Sequence, residues 1–584
     1  MNKKELLKGV RNALAEKGFF KRFTSIYIES QIHIGGLKGA LKEWHSLPNQ
    51  SRTDTDLGVI KQTSGFNGRI EWTVDTNGQL QRGDRNAIKM ALTSAVVDNY
   101  RYLTPDKDII VGIAGEDEKY YILDVRHRRG SKQEIYINKK SFLPVTHKFH
   151  HYNLTIVTSY KEFRKKEGLK FPRKQIQEIV EQKQLTEINV KKVEINRPEA
   201  QTIFSPPDVK VKDYRFDKWN RTSLPFELYE NHIYLKGSLN GKSSFDFLLD
   251  TGAGMNVIDK KFARKIGLKP KGKLKAQGVG GSTDFAIVEF ASLKLKGLRM
   301  EKQTAIVIDI QKKIEKFTGR GCDVILGYDF LSRFATKIDY QKKRITFYRP
   351  GHFKYRKDWQ FIDATYTTVP TIKATVEGKY RGYFRIDTGS GSFVDFHEPF
   401  VKEKKLTRGR KRIIEAEGIG AGGSTKILLT RIKEFKIGST AIKNPLVGMA
   451  QNAKGAFGSK EVSGNIGNRL LKKFIVVFDY KGSKFGFKKT RLFNRKAKLD
   501  RSGLLLIKDK NKIKIRTVLP FTPGDKAGFR KGDELLEVDG DDAKKIGIHN
   551  IKMTLRGRKG KIITIKIKRW GKGKIIKLKL ETYI

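Results

Sequence analysis

Two stretches of this 584-residue chain carry the same four landmarks in the same order. An Asp-Thr-Gly triplet follows an apolar run at Asp250 and again at Asp387, 137 residues later (387 − 250). After each triplet come a Gly-rich turn (GVGGST, then GAGGST), an apolar element closed by glycine (VILG, then GNIG) and a strand-like run ending in Asp-Tyr (KIDY, then VFDY). A repeat of roughly 140 residues is too long for a solenoid unit, so the duplication predicts two homologous lobes.

The two triplets supply the pair of carboxyl groups that acid-base hydrolysis needs. One carboxylate cannot both accept a proton from water and give one to a leaving group. Two carboxyls within hydrogen-bonding distance share one proton and titrate as a coupled pair, which provides both forms at once. The ionised member activates a water molecule, and the protonated member supports the developing oxyanion. We therefore predict that Asp250 and Asp387 form one catalytic pair, with no metal and no cofactor.

With these landmarks, residues 226–489 resemble the aspartic proteases, in particular the retropepsin-like families of bacteria. The resemblance implies a bilobal acid-protease β-barrel in which the two triplet threonines hydrogen-bond across the lobes. The glycines of the triplets let the backbone turn tightly and the two loops approach. The residues implied to support the aspartates are Thr251, Gly252, Thr388, Gly389 and Ser390. The residues implied to form two flap tips over an extended substrate are Gly280, Gly281, Gly422 and Gly423.

The partner of each lobe is a separate question. Retroviral-type lobes of this family pair as homodimers, whereas pepsin-like enzymes join two lobes in one chain. Both triplets are intact here, which favours pairing within the chain, and pairing of like lobes from two chains is the alternative. Neither Gly-rich turn has the tyrosine of pepsin-like flaps, which leaves the contribution of the flaps open.

The two triplets differ in the residue that follows, Ala253 in the first and Ser390 in the second. A hydroxyl beside Asp387 would donate to its carboxylate and favour the ionised form. The sequence therefore predicts that Asp250 carries the shared proton.

The C-terminal part, residues 500–584, carries a different motif. The string TPGDKAGFRKGDELLEVDG resembles the PDZ domains of bacterial envelope proteases. The resemblance implies a loop whose N–H groups bind a C-terminal carboxylate, formed by Gly503, Leu504, Leu505 and Leu506, and a peptide added as an edge strand beside a helix near 548–555. The alternative is a degenerate PDZ domain that only packs on the catalytic lobes.

The N-terminal part, residues 1–195, shows strand-length runs broken by Gly and Asn-Gly turns, with a helix predicted at Arg85–Tyr100. This order resembles domains related to the LolA and LolB lipoprotein carriers, in which an incomplete antiparallel barrel wraps helices around an apolar cavity. The resemblance implies a domain that could hold an acyl chain or an apolar peptide, and a plain scaffold is the alternative.

The charge is extreme: 120 Lys and Arg against 62 Asp and Glu give a net charge of +58. Such a field attracts polyanions, but the basic residues are spread along the chain and no nucleic-acid motif accompanies them. We interpret the charge as a surface bias and predict no specific nucleic-acid partner, with a polyanionic partner as the alternative. Cys322 is the only cysteine, so no disulfide forms within the chain.

The sequence thus predicts a mainly β multidomain chain. A LolA-like domain spans 1–195, a linker 196–225, the protease lobes 226–350 and 351–495, and a PDZ β-sandwich 500–584. The predicted function is an aspartic endopeptidase whose PDZ domain helps to capture protein or peptide substrates; a weakly active or inactive peptide- or lipid-binding envelope protein is the alternative. No run approaches the ~18 apolar residues of a membrane span. The flanking modules indicate an extracytoplasmic setting, periplasmic or secreted, although residues 1–23 lack the apolar core and small-residue cleavage site of a signal peptide, as would also be seen if the given sequence began after the signal.

Overall fold

The computed structural model describes residues 1–209, 211–278, 281–420, 423–451, 455–495 and 498–584. It divides into two compact units. The first contains residues 1–212 together with 270–277 and 282–289, and the second contains the other described residues from Asp213 onward. The predicted class, a mainly β multidomain chain, is confirmed. None of the described helices is long and apolar enough to cross a membrane.

The first unit is built on one antiparallel sheet of thirteen strands. The strands are β1 (Ser25–Ile34), β2 (Leu37–Ser46), β3 (Gln50–Asp56), β4 (Lys61–Phe66), β5 (Glu71–Val74), β6 (Leu80–Arg82), β7 (Ile109–Glu116), β8 (Tyr120–His127), β9 (Gln133–Asn138), β10 (Pro144–His151), β11 (Leu154–Lys166), β12 (Leu169–Ile179) and β13 (Gln184–Ile195). The sheet runs β6-β5-β4-β3-β2-β1-β13-β12-β11-β10-β9-β8-β7. Within the described residues no pairing joins β6 to β7, so the sheet is open, as predicted for an incomplete barrel.

Three helices accompany this sheet: α1 (Lys3–Leu14), α2 (Phe19–Arg22) and α3 (Arg85–Asp98). A capping box between Asn2 and Glu5 starts α1. Leu6, Val10 and Leu14 follow at the four-residue spacing of one helix face, and all three are buried against apolar residues of β8 and β9. The predicted helix at Arg85 is confirmed as α3, which ends two residues earlier than expected.

The segment from Asp213 to residue 350 contains the end of the predicted linker and the first predicted lobe. Its strands are β14 (Tyr214–Phe216), β15 (Arg221–Pro225), β16 (Glu227–Tyr229), β17 (His232–Leu239), β18 (Lys242–Leu249), β19 (Val257–Asp259), β20 (Lys271–Gly278), β21 (Gly281–Leu295), β22 (Leu298–Ile308), β23 (Val324–Leu326), β24 (Ala335–Asp339) and β25 (Arg344–Tyr348). Its helices are α4 (Lys260–Lys265), α5 (Gln311–Thr318) and α6 (Tyr328–Leu331). The predicted linker is more ordered than expected, because β14 pairs with β22 and β15 pairs with β25.

The second predicted lobe has the same plan. Its strands are β26 (Gln360–Thr365), β27 (Thr371–Val376), β28 (Tyr380–Asp387), β29 (Val394–Phe396), β30 (Ile414–Gly420), β31 (Gly423–Arg431), β32 (Glu434–Ile437), β33 (Thr440–Lys443), β34 (Leu446–Gln451), β35 (Gly464–Gly467), β36 (Phe474–Asp479) and β37 (Lys484–Lys489). Its helices are α7 (Glu398–Glu403) and α8 (Asn468–Leu471).

One sheet connects the two lobes. It runs β15-β25-β24-β36-β37-β26, and its central pair is β24 with β36, the two strands of the repeated KIDY and VFDY runs. They pair antiparallel from Ala335↔Asp479 to Asp339↔Ile475. The ends of the two repeats therefore join the lobes within a single chain.

The C-terminal module has its own six-stranded sheet. Its strands are β38 (Leu504–Asp509), β39 (Lys512–Val518), β40 (Glu534–Val538), β41 (Asp541–Asp542), β42 (Ile562–Arg569) and β43 (Lys572–Lys579), with helices α9 (Pro523–Lys526) and α10 (Ala543–Leu555). Its core packs α10, through Ile548, Ile551 and Leu555, against the apolar faces of the strands. Gly547 interrupts α10 with a non-helical conformation (φ 76°, ψ 159°), so a regular helix begins at Ile548.

The β20–β21 hairpin belongs largely to the first unit. Leu274 and Ile287 of the hairpin are buried in one apolar cluster with Leu37, Leu41 and other residues of the thirteen-stranded sheet. A backbone bond from Lys273 N to the carbonyl oxygen of Gly35 (2.7 Å) adds to the packing. This hairpin carries the first predicted flap, so the arms of that flap are anchored on the N-terminal domain.

Candidate active site

Each triplet stands at the end of a strand that is supported in the same way. β18 ends at Leu249 and pairs in parallel with β23, and β28 ends at Asp387 and pairs in parallel with β35. The supporting strands are the apolar-Gly elements of the two repeats. In the first lobe, Asp250 N also donates to the carbonyl oxygen of Leu326 (3.0 Å). The repeated apolar-Gly elements are therefore the strands that pair with the two strands leading into the triplets.

The glycine that closes the first supporting element is required by space. Gly327 N donates to Asn256 Oδ1 (3.0 Å), and a Cβ added to Gly327 would lie 2.2 Å from the carbonyl oxygen of Met255. Backbone at that distance leaves no room for a side chain.

The two triplet threonines cross-link the lobes. Thr251 N donates to Thr388 Oγ1 (2.9 Å), and Thr388 N donates to Thr251 Oγ1 (3.0 Å). Each hydroxyl then donates to the opposite strand, Thr251 Oγ1 to the carbonyl oxygen of Ile386 (2.7 Å) and Thr388 Oγ1 to that of Leu249 (3.0 Å). Both side chains are buried, so all four bonds are shielded from water.

The triplet glycines bring the carboxyls face to face. Gly252 N donates to Asp250 Oδ1 (2.8 Å), and Gly389 N donates to Asp387 Oδ1 (2.9 Å). A Cβ on Gly252 would lie 2.6 Å from Asp387 Cγ, and a Cβ on Gly389 would lie 2.3 Å from Asp250 Cγ. Each glycine therefore lies against the carboxyl of the other lobe, and any side chain would displace it.

Burial raises the pKa of both carboxyls of this pair above the ordinary value. Burial raises the pKa of Asp250, although the N–H groups of Gly252, Ala253 and Gly389 and the carboxyl of Asp387 stabilise its charged form. Burial also raises the pKa of Asp387, and the charge of Asp250 raises it further, so that it lies well above the ordinary value of 3.8. The two carboxyls hydrogen-bond to each other, and both keep partial exposure, as expected at the floor of a cleft.

The Ser390 hydroxyl has a different partner from the predicted one. It pairs with the hydroxyl of Ser392 (2.8 Å), and the backbone N–H of Ser390 joins that of Gly389 in stabilising the charged form of Asp387. The predicted side-chain donor to Asp387 is therefore engaged elsewhere. Burial raises the pKa of both carboxyls, so the pair keeps a shared proton.

Sequence reasoning missed a second bridge between the lobes. Asn468 Nδ2 donates to the carbonyl oxygen of Thr388 (2.5 Å), and Asn468 Oδ1 accepts from Tyr340 Oη (2.5 Å). Tyr340 is the tyrosine of the KIDY run, and both side chains are buried. The repeated Asp-Tyr was the available signal, since a buried tyrosine hydroxyl needs a partner.

The predicted flap tips are only partly within the described residues. Gly281 begins β21 and Gly423 begins β31, whereas Gly280 and Gly422 lie outside the described residues. The arms of the second flap, β30 and β31, pair from Ile414↔Leu429 to Gly420↔Gly423.

Part of the predicted carboxylate-binding loop forms hydrogen bonds within the chain. Leu504 and Leu506 are buried in the core of the C-terminal module, and Leu505 is half-buried. Gly503 N donates to Asp500 Oδ1 (2.8 Å), and Leu504 N donates to Ser502 Oγ (3.0 Å). Two of the N–H groups expected to face an external carboxylate therefore bond within the chain.

Comparisons with known families agree with two of the predicted modules. Residues 235–330, which include the first triplet, match the family model described as "Aspartyl protease". Residues 514–569 match the family model described as "PDZ domain". Two parts of the chain are thus similar to an aspartyl protease and to a PDZ domain. We call the C-terminal part the PDZ-like module from here on.

Solved structures resemble parts of the chain. An aspartic proteinase from Irpex lacteus is 12% identical, covers 47% of this chain and 99% of its own, and has a TM-score of 0.31. A LolA superfamily protein from Nitrosomonas europaea is 13% identical, covers 35% of this chain and 98% of its own, and has a TM-score of 0.26. No curated protein matched the chain.

Proposed function

We propose that this protein is an aspartic endopeptidase whose single active site is built from both lobes of one chain. The observation that carries the proposal is the facing pair Asp250 and Asp387, held on two turns that the threonines bond together. The family match of residues 235–330 supports the same class of reaction.

The proposed reaction follows from the two protonation states. The ionised carboxyl of the pair takes a proton from a water molecule between Asp250 and Asp387, and the resulting hydroxide attacks the scissile carbonyl carbon. The protonated carboxyl donates a hydrogen bond to the carbonyl oxygen as it becomes an oxyanion. Collapse of the tetrahedral intermediate breaks the C–N bond, and the leaving nitrogen receives a proton from the pair. One proton remains on the pair, which is its starting state.

The finer parts of the proposal concern the flanking modules. The PDZ-like module would capture peptides ending in a free carboxylate, and the N-terminal domain would hold an apolar ligand or serve as a scaffold. The resemblance of these modules to envelope proteins supports an extracytoplasmic setting.

Peptide-library cleavage by the wild type and by Asp250→Asn and Asp387→Asn tests the proposal. General acid-base catalysis contributes about 10²–10⁴-fold, so we expect either substitution to lower kcat/KM by at least that factor. Lys342→Ala, an exposed change in the turn after β24, is the matched control and keeps wild-type cleavage. A wild type that cleaves no peptide between about pH 4 and 7 would refute the proposal.

A further inference from the structure

The PDZ-like module has one open sheet edge. β38 pairs with β39 on one side, and no described strand pairs with its other side. The helix α10 packs beside β38. We call the space between them the β38–α10 groove. In PDZ domains a peptide adds as a strand to such an edge, with its side chains against the helix.

Residues 311–319 of the first lobe lie against the strand side of this groove. This segment contains α5, which packs along β38. Lys508 Nζ of β38 is 2.7 Å from Glu315 Oε1. The guanidinium of Arg516, on the neighbouring strand β39, lies 5.3 Å from the centre of the Phe317 ring.

The same segment also lies against the helix side. Lys552 Nζ of α10 donates to the carbonyl oxygen of Phe317. A Cβ added to Gly319 would lie 2.5 Å from Ile548 Cγ2, so the backbone passes directly over the first residue of the regular helix. Both walls of the groove are therefore in contact with one segment of the same chain.

A buried ion pair fixes the helix to the lobe beside this segment. Glu230 accepts from His549 Nδ1 (2.7 Å) and from Arg556 Nη2 (2.8 Å), and its side chain is 7% exposed. The Tyr229 ring stacks on the His549 ring at 4.5 Å. Burial would raise the pKa of Glu230, but Arg556, Lys552 and His549 outweigh it and lower the pKa. Glu230, His549 and Arg556 thus form a buried ion-pair cluster, and loss of one partner would leave a buried charge uncompensated.

We infer that residues 311–319 are the resident ligand of the β38–α10 groove, and that an external peptide binds there only after this segment has left. This inference deepens the peptide-capture step of the proposed function. Only an effect of peptide binding on cleavage rests on the proposed peptidase activity. Residues 311–319 contact both walls of the groove, and two N–H groups of its loop bond within the chain, so peptide binding is a competition. Its apparent affinity is reduced by the fraction of molecules in which the groove is open.

Release of the segment would affect the active site through the chain connections and hydrogen bonds that join the segment to both lobes. The segment connects β22 to β23, and β23 backs the strand that delivers Asp250. Gln311 N donates to Asp259 Oδ2 (3.0 Å), at the end of β19. On the other lobe, Arg516 forms two bonds with Glu417 of β30, an arm of the second flap (2.8 and 2.5 Å). A peptide in the groove would therefore loosen contacts to both lobes.

The test uses the full chain carrying Asp387→Asn, so that no probe is cleaved and the result does not depend on peptidase activity. The release variant adds Glu230→Lys and Glu315→Lys, which repel the cations of α10 and β38. The matched control adds Glu537→Lys and Asp539→Lys, which make the same charge change on residues paired with lysines within the module. The probe is a mixture of fluorescein-labelled random decapeptides with free C-terminal carboxylates.

We expect the release variant to bind the probe at least about tenfold more tightly than the background and the control. Amide hydrogen exchange should also rise in 504–509, 548–556 and 311–319 of the release variant and remain unchanged elsewhere in the module. Equal binding by the release variant and the control would overturn the inference, as would no binding by either. Rapid amide hydrogen exchange of residues 504–509 in the chain that carries Asp387→Asn alone would also overturn the inference.

Discussion

Asp250 and Asp387 occupy matching positions but differ in their surroundings. Each accepts a hydrogen bond from the glycine two residues later. Burial raises the pKa of both; the N–H groups of Ala253 and Gly389 also stabilise the charged form of Asp250, those of Gly389 and Ser390 stabilise that of Asp387, and the charge of Asp250 raises the pKa of Asp387 further. The N–H of Gly389 thus serves both carboxyls, and the raised pKa values keep the shared proton that acid-base catalysis requires.

The pH dependence of cleavage follows from these shifts. Catalysis needs one ionised and one protonated carboxyl, and burial raises the pKa of Asp250 above 3.8 and that of Asp387 well above it. A raised pKa keeps the proton to higher pH, so the singly protonated pair persists towards neutral pH. We expect the acidic limb of kcat/KM, measured with an internally quenched peptide, to have its midpoint above pH 3.8. A midpoint below that value would contradict a raised pKa of Asp250.

The threonine cross-link predicts a stability effect. Thr251→Val removes a hydroxyl that donates to Ile386 and accepts from Thr388 N, leaving that buried N–H without a partner. We expect the free energy of unfolding to fall by about 1–3 kcal/mol, and kcat to fall because the carboxyls are less well positioned. Thr251→Ser keeps the hydroxyl and serves as the control. Denaturant unfolding and kinetics measure both effects, and a Val variant indistinguishable from the Ser variant would refute the role of the bonds.

At the scale of elements, the pair β24 and β36 joins the lobes. Ile338 and Val476 are both fully buried and lie opposite each other in this pair. The side chains of both lobes therefore share one packed layer at the sheet.

Removing part of that layer should destabilise both lobes together. Ile338→Ala deletes buried methyl groups, and we expect the free energy of unfolding to fall by about 2–5 kcal/mol. Lys342→Ala, at an exposed position in the next turn, should change it by less than about 0.5 kcal/mol. Thermal unfolding followed by tryptophan fluorescence and by circular dichroism should give coincident transitions for the lobes. Separate transitions for the two lobes would show that the shared sheet does not couple them.

Much of this arrangement was predictable because the duplication repeats its landmarks. The triplets, the apolar-Gly elements and the Asp-Tyr runs identify equivalent strands of the two lobes by their order and spacing alone. Their mutual pairing was not predictable, because β24 and β36 are about 140 residues apart and pattern reasoning does not choose between distant partners. The strand at Arg221–Pro225 was not predictable for the same reason, since it has no strand pattern of its own and is ordered by β25.

At the scale of the whole molecule, both hairpins that carry predicted flap tips contact a neighbouring module. The β20–β21 hairpin is packed with the N-terminal sheet, and β30 is bonded to Arg516 of the PDZ-like module. The sequence offered two readings of that module, peptide capture and packing on the lobes. Its contacts with Glu230, Glu315 and Glu417 establish the packing, and no local motif reveals such distant ion pairs.

The central claim is that one chain supplies both carboxyls of one site. The most direct measurement is cleavage by Asp250→Asn and Asp387→Asn chains, each alone and after the two are refolded together from denaturant, with refolded wild type as the positive control. We predict cleavage by the wild type and none by either variant or by their mixture. Recovery of cleavage in the mixture would show that the lobes pair between chains, and cleavage by one variant alone would show that like lobes pair; either result would contradict the claim.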